Sequence, residues 1–232
     1  MRGSVKAIIV AAGEGKRFGG SRPKQFLPIA GKTVLEHSII PFQKSTGIGE
    51  IIVVLPESYL KPYSKKLKKA YAKISRIVAG GRERTDSVRN GIRAAGHASV
   101  YIIHDGARPL VSRELIRRVI RGAIKFGAAV PAVGMHDTVK EADPSGFVKR
   151  TVDRNTLCCV QTPQGFRKKV LEDSIMRQSR RKNIRVTDEA TLAELAGFRV
   201  KIVEGDFCNV KITTADDLKI ARALIEGGRT AR

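Results

Sequence analysis

The chain predicts an α/β fold, a mostly parallel twisted sheet with helices on both faces and a β-hairpin arm projecting from it. Three observations carry this. Short apolar runs rich in Val and Ile alternate with longer segments of helical periodicity, the order expected of a parallel sheet covered on both sides. The first run empties into a glycine-containing loop, Gly13-Glu14-Gly15. From about residue 134 to 160 the alternation breaks into charged, alternating segments around Asp143-Pro144-Ser145-Gly146, a hairpin signal.

In order, a strand over Val5 to Ala11 precedes a helix over Thr33 to Lys44, where Thr33 and Glu36 fit a capping box. A strand over Glu50 to Leu55 leads to a helix over Ser58 to Ala72. Ser75 to Ala79 and Asp86 to Ala95 form the next pair, Val100 to His104 and Ser112 to Phe126 the next, and Ala128 to Val133 is a further strand. After the arm come helices near Lys168 to Arg180 and over Thr187 to Ala196, and short strands around Arg199 to Val203 and Asn209 to Ile212. A closing helix from Ala215 is announced by Thr214 and Asp217. There is no internal repeat or low-complexity linker, and the 232 residues are expected to form one domain.

No apolar run approaches the roughly eighteen residues of a membrane-spanning helix. Ala7 to Ala12 is too short for a signal-peptide core and runs into Gly13, Glu14 and Lys16, so the chain reads as cytoplasmic. Cys158, Cys159 and Cys208 lack zinc-site spacing and read as reduced thiols. His37, His97, His104 and His136 fall in separate segments, which argues against a protein-only metal cage. A metal would arrive with a phosphate ligand.

The net charge of +22 raises nucleic acid as a partner. The pattern weakens that reading. Between Lys61 and Arg76 the residues Tyr63, Leu67, Ala70, Tyr71 and Ile74 recur at helical spacing while Lys65, Lys66, Lys68, Lys69 and Lys73 fall mostly off that stripe, as on a solvated helix face. With no Trp and 5% aromatics there is little material for base stacking, so no nucleic acid partner is expected.

The chemistry concentrates in Ala11-Ala12-Gly13-Glu14-Gly15-Lys16-Arg17-Phe18-Gly19, directly after the first strand, followed by Pro23-Lys24-Gln25. A loop leaving the carboxyl end of a strand in such a sheet is where nucleotides bind, glycines let backbone N–H groups approach phosphate, and Arg17 and Lys24 can add charge-assisted bonds. Phe18 stands where a dinucleotide fingerprint needs its third glycine, and no Gly-Lys-Ser/Thr follows. Both departures lower the nicotinamide dehydrogenase and Walker-loop readings.

This segment resembles the A-A-G-x-G-x-R signature of sugar-phosphate nucleotidyltransferases, and Pro23-Lys24-Gln25-Phe26 is similar to the P-K-Q-[FY] of the methylerythritol phosphate cytidylyltransferase family. Further blocks resemble that family in order: Gly80 to Val88, His104-Asp105-Gly106-Ala107-Arg108-Pro109, Thr151 to Arg154, Gln161 to Gln164, Thr187 to Ala190, and Asn209 to Thr213. Arg82, where an acid is frequent, and Gly106, where alanine is common, depart from its pattern.

The resemblance implies a Rossmann-like sheet of the nucleotide-diphospho-sugar transferase type and transfer of a cytidylyl group from CTP to a polyol phosphate. It implies that Ala11, Ala12, Gly13, Gly15, Gly81 and Ser87 hold CTP, with Arg17, Lys24 and Lys211 catalytic. Asp105 would help position Mg2+ on the nucleotide phosphates, and Asp105, Arg108, Thr162, Thr187 and Lys211 would line the polyol-phosphate side. Thr138 and Arg154 would lie on an arm, about residues 134–160, that reaches the partner site of a homodimer. A ribitol 5-phosphate cytidylyltransferase would share the CTP loop, and Ala107 with Arg108 favours the methylerythritol enzyme.

Overall fold

The structure, a computed structural model, describes residues 4–13, 18, 22–178 and 186–228. The expected site residues Gly15 and Arg17 lie outside the described residues, as does the expected end of the helix near Lys168 to Arg180.

The first half runs β1 (Val5–Val10), the short antiparallel pair β2 (Pro28–Ile29) and β3 (Lys32–Thr33), α1 (Val34–Lys44), β4 (Glu50–Leu55), α2 (Glu57–Ala70) and β5 (Ile74–Ala79). It continues through α3 (Arg84–Ala95), β6 (Val100–Asp105), α4 (Arg113–Phe126) and β7 (Ala128–Gly134). The second half contains the arm strands β8 (Val139–Ala142) and β9 (Val148–Val152), then β10 (Cys158–Val160), β11 (Gln164–Arg167), α5 (Lys168–Gln178), α6 (Glu189–Leu195), β12 (Lys201–Glu204) and α7 (Ala215–Glu226).

Strands β5, β4, β1 and β6 pair in parallel, in that spatial order. β11 then runs antiparallel to both β6 and β7, β10 also runs antiparallel to β7, and β12 pairs with β7 in parallel. Alternation along the central strands sends side chains to two cores. Ala7, Ile9, Ile51 and Val53 pack with α1, α2 and α4 residues such as Leu35, Leu67 and Val119, whereas Ile8, Ile52 and Val54 pack with Val88 of α3, Leu171 of α5 and Ala193 of α6. A stretch of strand buried on both faces must be apolar at every position, which is why β1 from Ala7 and β4 from Ile51 read as continuous apolar runs.

Local signals set the helix starts. Thr33 and Glu36 form the capping box of α1, Thr214 and Asp217 that of α7, and Ser112 caps α4. On α2, Leu67 is buried while Lys65, Lys66, Lys68 and Lys69 are exposed. Tyr59 of the same helix stacks on the buried ring of Phe26, with centroids 4.1 Å apart and planes 5° from parallel. That stack fixes the short turn Lys24–Phe26 against the body of the fold.

Two expectations need correction. Asn209 to Ile212 is not a strand. Its Val and Ile alternate like one, but the segment crosses the carboxyl end of β6, where Asn209 Nδ2 donates to Thr162 O at 2.8 Å and Ile212 N donates to Ala107 O at 2.9 Å. Cys158 to Val160, expected as the end of the arm, instead pairs with β7 in the main sheet as β10, and β11 has no counterpart in the sequence expectation.

β8 and β9 pair antiparallel as a separate hairpin. In its turn Asp143 Oδ1 accepts from the backbone N–H of Ser145 and Phe147, and Gly146 takes φ +89°. None of the described helices is long and apolar enough to cross a membrane.

Candidate active site

A cleft of about 590 Å3 opens over the carboxyl ends of β1 and β6, within the range of small-ligand pockets. Its walls include Ala11, Ala12, Gly13, Lys24, Gly81, Ser87, Asp105 and Lys211, so residues drawn from five separated blocks of sequence meet here. The β1 loop is held from behind by Gln25, a buried side chain whose Nε2 donates to Ala11 O at 2.7 Å and Gly13 O at 2.8 Å. Adjacent Lys24 thereby faces the cleft on a turn that Phe26 and Gln25 both anchor.

The opposite wall is the turn between β5 and α3. A Cβ at Gly80 would lie 2.2 Å from Ala12 Cβ, so bare backbone at this position lets the two loops touch. Ser87 Oγ accepts from Gly81 N at 3.1 Å and donates to Glu83 O at 3.1 Å. The hydroxyl therefore shapes the turn, and the Gly81 N–H is already used.

At the centre sits Asp105, the last residue of β6, 7% exposed. Oδ1 accepts from Arg84 Nε at 3.3 Å and Nη2 at 3.2 Å, while Oδ2 lies 2.8 Å from Lys211 Nζ and 3.9 Å from Arg108 Nε. Burial alone would raise this carboxyl. Arg84, then Lys211, then Arg108 outweigh it and hold Asp105 well below the ordinary carboxylate range. Arg84 also reaches Glu189, with Nη1 at 2.7 and 2.9 Å from its two oxygens. Burial pushes the Glu189 carboxyl up, opposed by the Arg84 guanidinium.

Behind Asp105 a buried relay fixes its backbone. Thr162 Oγ1 accepts from Asp105 N at 3.1 Å and lies 3.0 Å from His104 Nδ1, and His104 Nε2 lies 3.2 Å from Arg108 O. A carbonyl only accepts, so Nε2 carries the proton, and Thr162 donates to Nδ1. Burial lowers the His104 pKa to about 3, against the pull of Asp105, so the ring is neutral. Thr162 is thus a tie beneath the cleft, not part of its wall.

Arg108 is also beneath the wall, its Nη1 donating to Asn209 O at 2.7 Å and its Nε buried with no hydrogen-bond partner. Thr187 is exposed next to α6, its Oγ1 3.1 Å from Thr191 Oγ1. Thr138 and Arg154 sit exposed on the arm, Arg154 donating to His136 O.

A family model described as IspD, 2-C-methyl-D-erythritol 4-phosphate cytidylyltransferase, matches residues 5–227. The chain belongs to this family. Similar curated proteins of that name include one from Pelotomaculum thermopropionicum, 42% identical with 98% of this chain and 97% of the relative covered. Another from Clostridium perfringens is 38% identical, covering 97% and 100%. Among solved structures, 4-diphosphocytidyl-2C-methyl-D-erythritol synthase from Anaerococcus prevotii superposes with a TM-score of 0.84 at 31% identity, covering 96% of this chain and 98% of that one. The cytidylyltransferase from Thermus thermophilus gives 0.77 at 32%, covering 94% and 98%. The chain is therefore a nucleotidyltransferase of the IspD family, built on the sheet that its motifs imply.

A divalent metal can be tested against this cytidylyltransferase site by its donors. No group of three or more His, Cys, Asp or Glu among the described residues could hold one, and both Asp105 oxygens already face cations. The donor set fits only an ion that brings most of its ligands on phosphate, with Asp105 as the carboxylate at the centre.

Gln25, Arg84, His104 and Glu189 carry no role in the sequence expectation. All four lie inside the blocks that resemble the family, and the usable signal is the presence of charged or amide side chains at strand and helix ends where the chain must be buried.

Proposed function

We propose that this chain transfers the cytidylyl group of CTP to 2-C-methyl-D-erythritol 4-phosphate, giving 4-diphosphocytidyl-2-C-methyl-D-erythritol and pyrophosphate in non-mevalonate isoprenoid biosynthesis. The observation that carries this reading is the convergence of Lys24, Lys211 and Asp105 on one cleft at the carboxyl ends of β1 and β6, in a chain of the cytidylyltransferase family over nearly its whole length.

An oxygen of the substrate phosphate attacks the α-phosphorus of CTP. A new P–O bond forms as the bond to the β-phosphate breaks, and pyrophosphate leaves with the electron pair. That oxygen is already ionised at neutral pH, so no general base is needed; bringing two polyanions together and neutralising them is the task. Arg17 and Lys24 take the α-phosphate and the departing pyrophosphate. Ala11, Ala12, Gly13 and Gly15 form the CTP loop, and the turn made by Gly81 and Ser87 receives the base. Lys211, Arg108, Thr162 and Thr187 serve the polyol-phosphate side, Lys211 directly and Thr162 through Asp105. Mg2+ held on the triphosphate beside Asp105 would supply further positive charge.

The same reading takes the chain as one catalytic domain working in the cytoplasm, as a homodimer in which Thr138 and Arg154 on each arm serve the partner's site. Exposed Phe147, Val148 and Leu157 on the arm, at 72%, 64% and 38%, support a covered surface there.

Pyrophosphate release with 2-C-methyl-D-erythritol 4-phosphate and each of CTP, UTP, ATP and GTP tests the reading. A site of oriented donors and acceptors should favour CTP strongly; equal release with UTP would point to a broader sugar nucleotidyltransferase.

A further inference from the structure

Arg84 joins three elements that carry different parts of the site. It opens α3 just past the nucleotide-side turn at Gly81, and its guanidinium meets Asp105 at the end of β6 and Glu189 at the start of α6. Glu189 is 1% exposed at its side chain and Asp105 10%, against 28% for Arg84. A buried ion network of this kind is seldom a gain in stability over apolar packing of equal volume. Its particular property is geometry, because a planar guanidinium holds two carboxylates at fixed spacing and a lysine does not.

We propose that Arg84 and Glu189 are positioning residues, a brace that holds Asp105 Oδ1 so that Oδ2 presents Lys211 to the polyol phosphate, and that sets the nucleotide-side turn against the Thr187 segment. The role assigned to Lys211 rests on the cytidylyl-transfer reading above. Glu189 is shut off from solvent and acts only through Arg84. The chain of contacts runs from Glu189 to Arg84 at 2.7 Å, from Arg84 to Asp105 at 3.2 Å, and from Asp105 to Lys211 at 2.8 Å. Gln164 holds the α6 end of the brace, its Nε2 donating to Asp188 at 2.7 Å and its Oε1 accepting from Ala190 N at 3.1 Å.

The test uses Glu189→Gln, which keeps the shape and removes the charge, and Arg84→Lys, which keeps the charge and removes the fork. Two readouts are taken on the full chain. In amide hydrogen exchange, peptides over 80–87 and 209–213 should exchange at least about tenfold faster in either variant while β1 and β4 stay protected. In kinetics, Glu189→Gln should lower kcat about tenfold and raise KM for the polyol phosphate several-fold, with a smaller rise in KM for CTP. The kcat loss should largely vanish when Glu189→Gln is added to Lys211→Ala, as coupled residues require.

Additive losses, or equal KM changes for both substrates, would overturn the brace. So would unchanged exchange at 209–213 in whichever of the two variants folds. The exchange readout needs no substrate, so it judges the brace even if wild type proved inactive with CTP and 2-C-methyl-D-erythritol 4-phosphate, a result that would count against the proposed function alone.

Discussion

The Lys211 ammonium sits 2.8 Å from the Asp105 carboxylate, on a segment that crosses the end of β6 without forming a strand. Asp105 keeps Arg84 when Lys211 is removed, so Lys211→Ala should fold normally, with a melting temperature within a few degrees of wild type. Its kcat should drop roughly a hundred- to a thousandfold, the scale for losing one charge contact in the transition state, and Lys24→Ala should fall on the same scale. Near-normal turnover in a folded variant would take that residue out of the mechanism.

Gly106 brings the β6 loop onto the β1 loop. An added Cβ would lie 2.7 Å from Ala11 Cβ and 3.2 Å from Leu35 Cδ1. Overpacking costs about 1–3 kcal/mol, and the stiffer unfolded chain returns only about 0.4–1 kcal/mol, so Gly106→Ala should lower the urea midpoint. Adding Ala11→Gly should recover most of the loss. A stable single variant would show that the loops have slack.

Asp217 anchors the helix that follows Lys211. Burial would raise its carboxyl, but hydrogen bonds from Thr213 Oγ1 at 2.5 Å, Thr213 N at 2.8 Å and Thr214 N at 2.7 Å bring it down to about 2. A folded pKa below the unfolded one means the stabilisation is complete above about pH 4 and is lost as pH falls toward 2. Asp217→Asn should therefore cost about 1 kcal/mol at pH 7, and the gap between the two urea midpoints should shrink by pH 3. A gap of constant size would assign the effect to packing.

How much was legible depended on how local the signal was. Thr33 with Glu36, and Thr214 with Asp217, announce their helices within four residues, and the apolar runs of β1 and β4 announce a doubly covered sheet. β10 and β11 are not legible, because Cys158–Val160 and Gln164–Arg167 are short, without alternation, and owe their state to pairing, β10 with β7 and β11 with β6 and β7. Val210 and Ile212 alternate like a strand, yet the side chain of Asn209 bonds across to Thr162 instead. In the site, the lysines and Asp105 stood out within motifs, whereas Arg84 and Glu189 are 105 positions apart and only the fold pairs them.

The arm gives a prediction about assembly. If Arg154 serves the partner's site, a Lys24→Ala subunit paired with an Arg154→Ala subunit makes one site with both defects and one with neither. Mixing the two inactive proteins should restore about a quarter of wild-type activity under random exchange. No recovery, once mass spectrometry confirms mixed dimers, would leave the arm acting on its own subunit's site.

The central claim is transfer of a cytidylyl group to 2-C-methyl-D-erythritol 4-phosphate, and pyrophosphate release from CTP with each candidate acceptor tests it most directly. The purified chain, given CTP and Mg2+, should release pyrophosphate rapidly with 2-C-methyl-D-erythritol 4-phosphate and only slowly with ribitol 5-phosphate. Faster release with ribitol 5-phosphate, or none with either acceptor, would contradict the account.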